Sequence, residues 1–114
     1  MQDEFSDLYR YAAQEDRCAP RTVTAFQAQL RIAGRDTFSS HIHDVSLSGF
    51  RAMSAHRIAS GSVCYLTIPD FDVMEAIVVW WKDGMCGCAF RNLLDRQTHD
   101  RIVSKYRAHR AIEQ

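Results

Sequence analysis

The sequence predicts a mainly β protein: a six-stranded antiparallel β-barrel with a C-terminal α-helix and a short helix near the N-terminus. Three observations carry this. From Thr22 onward, apolar residues alternate at period two through several short runs. Turn signals separate the runs: Gly34-Arg35-Asp36, Ser60-Gly61-Ser62, Pro69-Asp70 and Asp83-Gly84. From Asp95 the period lengthens to that of a helix. Short strands with tight turns and a terminal helix bury their apolar faces best as a closed barrel with the helix packed across it.

Residues 3–14 place Phe5, Leu8, Tyr9 and Ala12 at helical spacing. So short a helix is marginal alone and must dock or fray. Residues 15–21 are a linker, in which Pro20 disfavours helix at Ala19. In the first strand Phe26, Ala28, Leu30 and Ile32 alternate with Ala25, Gln27, Gln29 and Arg31. After the turn at Gly34, Thr37 to Val45 returns as a second strand, and Phe50 to Ser54 begins a third. Residues 58–62 are a loop. Cys64, Leu66 and Ile68 alternate with Val63, Tyr65 and Thr67 in a fourth strand, which Pro69-Asp70 ends. Met74 to Trp81 is nearly continuously apolar, so both faces are expected to be covered, with Ile77 to Trp81 as the seat of the helix. Trp80 and Trp81 face opposite ways, so one is expected in the core and the other under the helix; an exposed one marks a partner surface. Asp83-Gly84 is a hairpin turn, and Met85 to Phe90 pairs back as the sixth strand. Asp95 caps a helix whose stripe is Ile102, Val103 and Tyr106, with Arg101, Lys105 and Arg107 in water. The expected organisation is an extension over residues 1–16 and one barrel domain with its helix over residues 17–112.

A chain of 114 residues with 46% hydrophobic and 25% charged content can bury one core without staples. Its formal net charge is zero, which argues against non-specific binding to DNA, RNA or anionic membrane. The charge is uneven. Residues 1–16 carry Asp3, Glu4, Asp7, Glu15 and Asp16 against Arg10, whereas Lys and Arg outnumber Asp and Glu over residues 91–114. Met1-Gln2-Asp3-Glu4 is not followed by an apolar run of signal-peptide type, and no run approaches membrane-spanning length. Cys18, Cys64, Cys86 and Cys88 lack the spacing of a disulfide framework. A cytoplasmic protein with reduced thiols is expected.

Catalytic motifs are missing from the sequence: it has no Gly-x-Ser-x-Gly, no phosphate loop with Lys and no His-Glu-x-x-His. His43, Asp44 and Ser46 are neighbours on one strand and cannot form a triad, because His43 points away from the other two. The pairs His41/His43 and Cys86/Cys88 sit on straight strands rather than on zinc knuckles, so no metal is expected, nor a cofactor, nor an enzyme. Cys64 and Cys88 read as small core hydrophobes. Cys18, flanked by two arginines, has a lowered thiol pKa if it is exposed.

The stretch His43-Asp44-Val45-Ser46-Leu47-Ser48-Gly49-Phe50 carries the binding chemistry. Asp44 and Ser46, two apart on an extended segment, point the same way. Gly49 allows a turn, a bulge or a close backbone approach. A carboxylate, a hydroxyl and bare backbone suit a polar planar ligand with phosphate attached. Upstream, Arg17 and Arg21 form Arg-x-x-x-Arg and can close over it.

Arg17-Cys18-Ala19-Pro20-Arg21, then a strand-like run, then Asp44-Val45-Ser46-Leu47-Ser48-Gly49 resembles the PilZ domain family. Gly87-Cys88-Ala89-Phe90 is similar to the Gly-x-x-Phe of that family's last barrel strand, and the resemblance covers roughly residues 17–110. It implies a small β-barrel that binds the bacterial second messenger cyclic di-GMP through Arg17, Arg21, Asp44, Ser46 and Gly49. Arginine is a planar two-pronged donor for guanine O6 and N7, and for phosphate. The N1–H and N2–H₂ groups of guanine need an acceptor such as the Asp44 carboxylate. Ser46 either donates to a phosphate oxygen or holds the turn. The chain contains no output domain, so an effector protein is the expected partner, reached by ligand-dependent ordering of the arginine segment. One rival is an interaction module of the same fold without ligand. Another is an oligonucleotide-binding barrel, for which a basic, aromatic-interleaved surface is lacking.

Overall fold

A computed structural model describes residues 22–113. The segment expected as a helix at residues 3–14, together with Arg17, Cys18 and Arg21, lies outside the described residues. The strands are β1 (Thr22–Ile32), β2 (Thr37–Val45), β3 (Gly49–Met53), β4 (Val63–Thr67), β5 (Met74–Lys82) and β6 (Met85–Phe90), and the helix α1 (Arg96–Glu113) comes after them. The strands close into an antiparallel barrel in the order β1-β2-β3-β6-β5-β4. The mainly β barrel expected from the alternation is therefore the fold. Asp83 and Gly84 both take positive φ, 50° and 81°, as a two-residue hairpin of matching twist requires.

Inward-facing residues of every strand make one core. Leu30, Ile42, Phe50, Leu66, Val78 and Phe90 are essentially sealed from solvent, and the Phe50 and Phe90 rings meet at 5.4 Å between centroids. Cys64, Cys86 and Cys88 belong to this interior. The Cys88 Sγ lies 4.0 Å from that of Cys64 and 3.9 Å from that of Cys86. Hydrogen bonding to the Cys64 and Cys86 thiols, together with burial, raises the Cys88 pKa well above that of an ordinary thiol.

Three register shifts bend the barrel. Between β1 and β2 the register steps from Val23↔Asp44 to Phe26↔Ile42, so Thr24 and Ala25 oppose His43 alone. Ala25 takes the positive φ of 51° that this bulge demands. Between β2 and β3 it steps from Ile42↔Ala52 to Asp44↔Arg51, and between β5 and β6 from Val78↔Cys88 to Trp80↔Gly87. Each extra residue reverses the facing of the rest of its strand. Without His43 as the extra residue, Asp44 would join Ile42 in the core; without Val79, Trp80 would join Val78.

The helix does not sit on β5 as the apolar run suggests. Ile102 joins the interior core cluster, and Tyr106 stacks on Phe26 of β1 with centroids 3.9 Å apart and rings within 10° of parallel. The helix thus covers a mouth of the barrel. The Arg101 guanidinium lies over the Phe71 ring, and Lys105 pairs with Asp70, so the β4–β5 loop is held to it. On the outside of β5 only Ile77 is buried, in a small cluster with Ala89 and Val79. Trp81 donates Nε1–H to the Ser54 carbonyl at 3.0 Å, while Trp80 is 39% exposed. No helix among the described residues is long and apolar enough to cross a membrane.

Asp95 caps α1. Its carboxylate accepts from the Thr98 backbone N–H at 2.7 Å and from the Thr98 hydroxyl at 3.1 Å. These bonds, the backbone one foremost, lower the Asp95 pKa below its usual 3.8. A depressed folded-state pKa adds stability above the unfolded value, and that stability is lost as pH falls through the folded one. Asp95→Ala should therefore melt below wild type at neutral pH, with the gap closing as pH drops below 3.8. Thermal melts across that range check it; a gap independent of pH would show that the carboxylate charge does not contribute.

Candidate functional site

β2 ends at Val45, and the chain turns through Ser46, Leu47 and Ser48 into β3. Ser46 Oγ accepts from the backbone N–H groups of Ser48 and Gly49 at 3.3 and 3.2 Å. Ser46 N–H donates to the Gly49 carbonyl at 2.8 Å. The hydroxyl therefore shapes its own turn, a local geometry that serine favours. Leu94 N–H donates to the Leu47 carbonyl and Phe90 N–H to the Ser48 carbonyl, both at 2.9 Å, which pins the turn to the segment leading into α1. Ser46 and Ser48 are both buried.

Gly49 is needed for packing between strands. A Cβ there would stand 2.1 Å from the Cys88 carbonyl oxygen. The β3–β6 register runs without interruption from Gly49↔Ala89 to Met53↔Met85, so no bulge explains the residue. The space a side chain would take is filled by the neighbouring strand.

Asp44 is fully buried, and its Oδ2 accepts from Arg51 Nε at 2.7 Å and also from Arg51 Nη2. Sequence reasoning missed Arg51. Its only signal was position: it lies two residues after Gly49, and its pairing with Asp44 depends on the bulge at His43.

Cross-strand partners share a face of the sheet, so the register defines a row on the outside of the barrel. Val23 pairs with Asp44, Asp44 with Arg51, Arg51 with Gly87, and Gly87 with Trp80. The row crosses five strands, β1-β2-β3-β6-β5. Trp80 lies across the bare backbone of Gly87, where a Cβ would come within 2.2 Å of its Nε1. A carboxylate, a guanidinium and a half-exposed indole therefore stand in line. The Arg51 guanidinium and the Trp80 indole reach solvent and can meet an anion and stack on a planar ring, whereas the Asp44 carboxylate is buried against Arg51. Of the five residues expected at the site, Asp44 stands in the row, and Ser46 and Gly49 build the turn beside it. Arg17 and Arg21 lie outside the described residues, on the segment that enters β1 at Thr22, one residue before the row begins.

In the solved structures, the chain is similar to the PilZ domain of CeSA from a cellulose-synthesizing bacterium. The TM-score is 0.57 at 14% identity, over 81% of this chain and 99% of that one, a likeness of fold. No curated protein matches. The PilZ domain profile matches residues 15–107, most of the chain and all six strands. The chain belongs to the PilZ domain family.

Proposed function

We propose that this protein is a receptor for cyclic di-GMP that relays the bound state to a partner protein. The outer row Val23–Asp44–Arg51–Gly87–Trp80 carries the reading, because Val23, its first member, follows Arg21 by two residues in the sequence. In this reading Arg17 and Arg21 hold phosphates and a guanine edge, and Asp44 accepts from guanine N1–H and N2–H₂. Ser46 and Gly49 act through the shape of the turn, and Trp80 offers a stacking face. Isothermal titration with cyclic di-GMP, with linear GpG and GTP as controls, tests it. Each of Arg17→Ala and Arg21→Ala should weaken binding about tenfold to a hundredfold, the value of a charge-assisted contact. Wild-type affinity in both variants would remove the arginine segment from the site.

The burial of the Asp44 carboxylate against Arg51 favours a second reading, in which the row is structural and the domain docks a protein without nucleotide. No heat of binding with cyclic di-GMP in the titration would select that reading.

A further inference from the structure

We infer that residues 3–14 dock on the outer face of β3, β6 and β5, with their apolar stripe over Trp80, Met53 and Met85. The contact does not depend on the cyclic di-GMP reading. The register builds this face as two adjoining rows. Arg51, Gly87 and Trp80 form one, and Met53, Met85 and Lys82 form the other. Along each strand the members are two apart, so all six point outward. Ala52 and Cys86 between them lie in the core, and Trp81 packs against it. Met53 is 49% exposed and Trp80 39%. The indole lies across the bare backbone of Gly87 and so fills the middle of the face. Two thioethers and an indole make an apolar patch that adapts to what covers it. The apolar run in β5 announced a helix on this strand, yet α1 closes the mouth at Phe26 instead.

Pattern, length and charge single out the occupant. Phe5, Leu8, Tyr9 and Ala12 recur at helical spacing, and a stripe of that kind holds its helix only when it is buried. From Phe5 to Ala12 it runs roughly 10 Å, and a helix is about 10 Å wide, the width of three paired strands. The tether reaches. Val23 is three cross-strand steps from Gly87, through Asp44 and Arg51, a path of roughly 15 Å. Residues 15–21, fully extended, span roughly 23 Å. The segment brings Asp3, Glu4 and Asp7, against Arg10 alone, to a face flanked by the exposed Lys82 and the partly exposed Arg51. A second copy would instead bring the same two cations to both sides of the contact. A short tether also gives an effective concentration of about millimolar, so a few apolar contacts suffice.

The test reads tryptophan emission and its quenching by acrylamide in the whole chain without ligand. The chain has two tryptophans, and Trp81 is held inward by its bond to the Ser54 carbonyl, so Trp80 is the responsive one. Leu8→Asp puts a charge into the stripe. It should raise quenching about twofold and move emission to the red, because the indole passes from an apolar cover to water. Gln14→Asp makes the same charge change on the opposite side of the expected helix and should leave both unchanged. In a Trp80→Phe background, Leu8→Asp should not alter the remaining signal. Wild-type quenching in Leu8→Asp, an equal response to Gln14→Asp, or a response that survives Trp80→Phe would each overturn the proposal. Sedimentation distinguishes the other occupant. A dimer that Met53→Asp dissociates and Leu8→Asp leaves intact would give the face to a second copy and overturn the proposal as well. Each variant is checked for a cooperative melt; should Leu8→Asp not fold, Phe5→Ser replaces it with the same expected response.

Discussion

Gly49→Ala should destabilise the barrel by on the order of 3 kcal/mol or more, the upper range for forcing atoms into a packed site. The added Cβ meets the Cys88 carbonyl oxygen at 2.1 Å and the Ala89 Cα at 3.2 Å, all backbone of the paired strand. No side chain can rotate to relieve it. β3 must separate from β6 at the point where Ser46, Ser48 and Phe90 anchor the turn. For a domain of this size such a loss lowers the melting temperature by roughly 10–20 °C. Calorimetry decides. A variant melting within a few degrees of wild type would mean that the two strands can spread at that end without loss.

Gly87→Ala should separate binding from folding. Its Cβ also collides, 2.2 Å from Trp80 Nε1 and 2.4 Å from Cε2. Here the obstacle is a side chain that is 39% exposed and can swing outward. Stability should fall by only about 1 kcal/mol, the low end of overpacking costs. Trp80 then leaves the row. If it stacks on a ligand base, affinity for cyclic di-GMP falls with it, by about 1–3 kcal/mol, the range for base–aromatic stacking. The indole fluorescence of the free protein should shift as well, since Trp80 gains solvent. A folded Gly87→Ala variant with altered fluorescence and wild-type affinity would take Trp80 out of the site. The two substitutions add the same methyl group, and they differ in whether backbone or a movable ring occupies the space.

Much of this fold was legible from local patterns. The strand from Thr37 to Val45, the turn at Asp83-Gly84 and the cap at Asp95 come from alternation, from the positive φ a two-residue hairpin demands, and from a carboxylate's reach to the N–H groups of a first turn. The helix stripe of Ile102, Val103 and Tyr106 was likewise readable, because its period is a property of one segment. The seat of that stripe was not. A continuous apolar run in β5 invited it, yet Phe26 at the mouth of the barrel offered a ring to stack on and an opening to close.

The candidate site divides in the same way. Asp44, Ser46 and Gly49 stood out by their spacing, and the turn they build is a local object. The outer row was hidden, because a bulge exists only as a count of two residues against one on a neighbouring strand. Strict alternation along one strand would put Asp44 on the face of Ile42 and Trp80 on the face of Val78, and it names no partner for Arg51. The sequence by itself determined the number of strands, their turns, the helix and the type of chemistry available. Only the tertiary structure decided which face carries that chemistry and which side chains meet on it, because facing depends on the register between strands far apart in the chain, and register is set by the closure of the whole barrel.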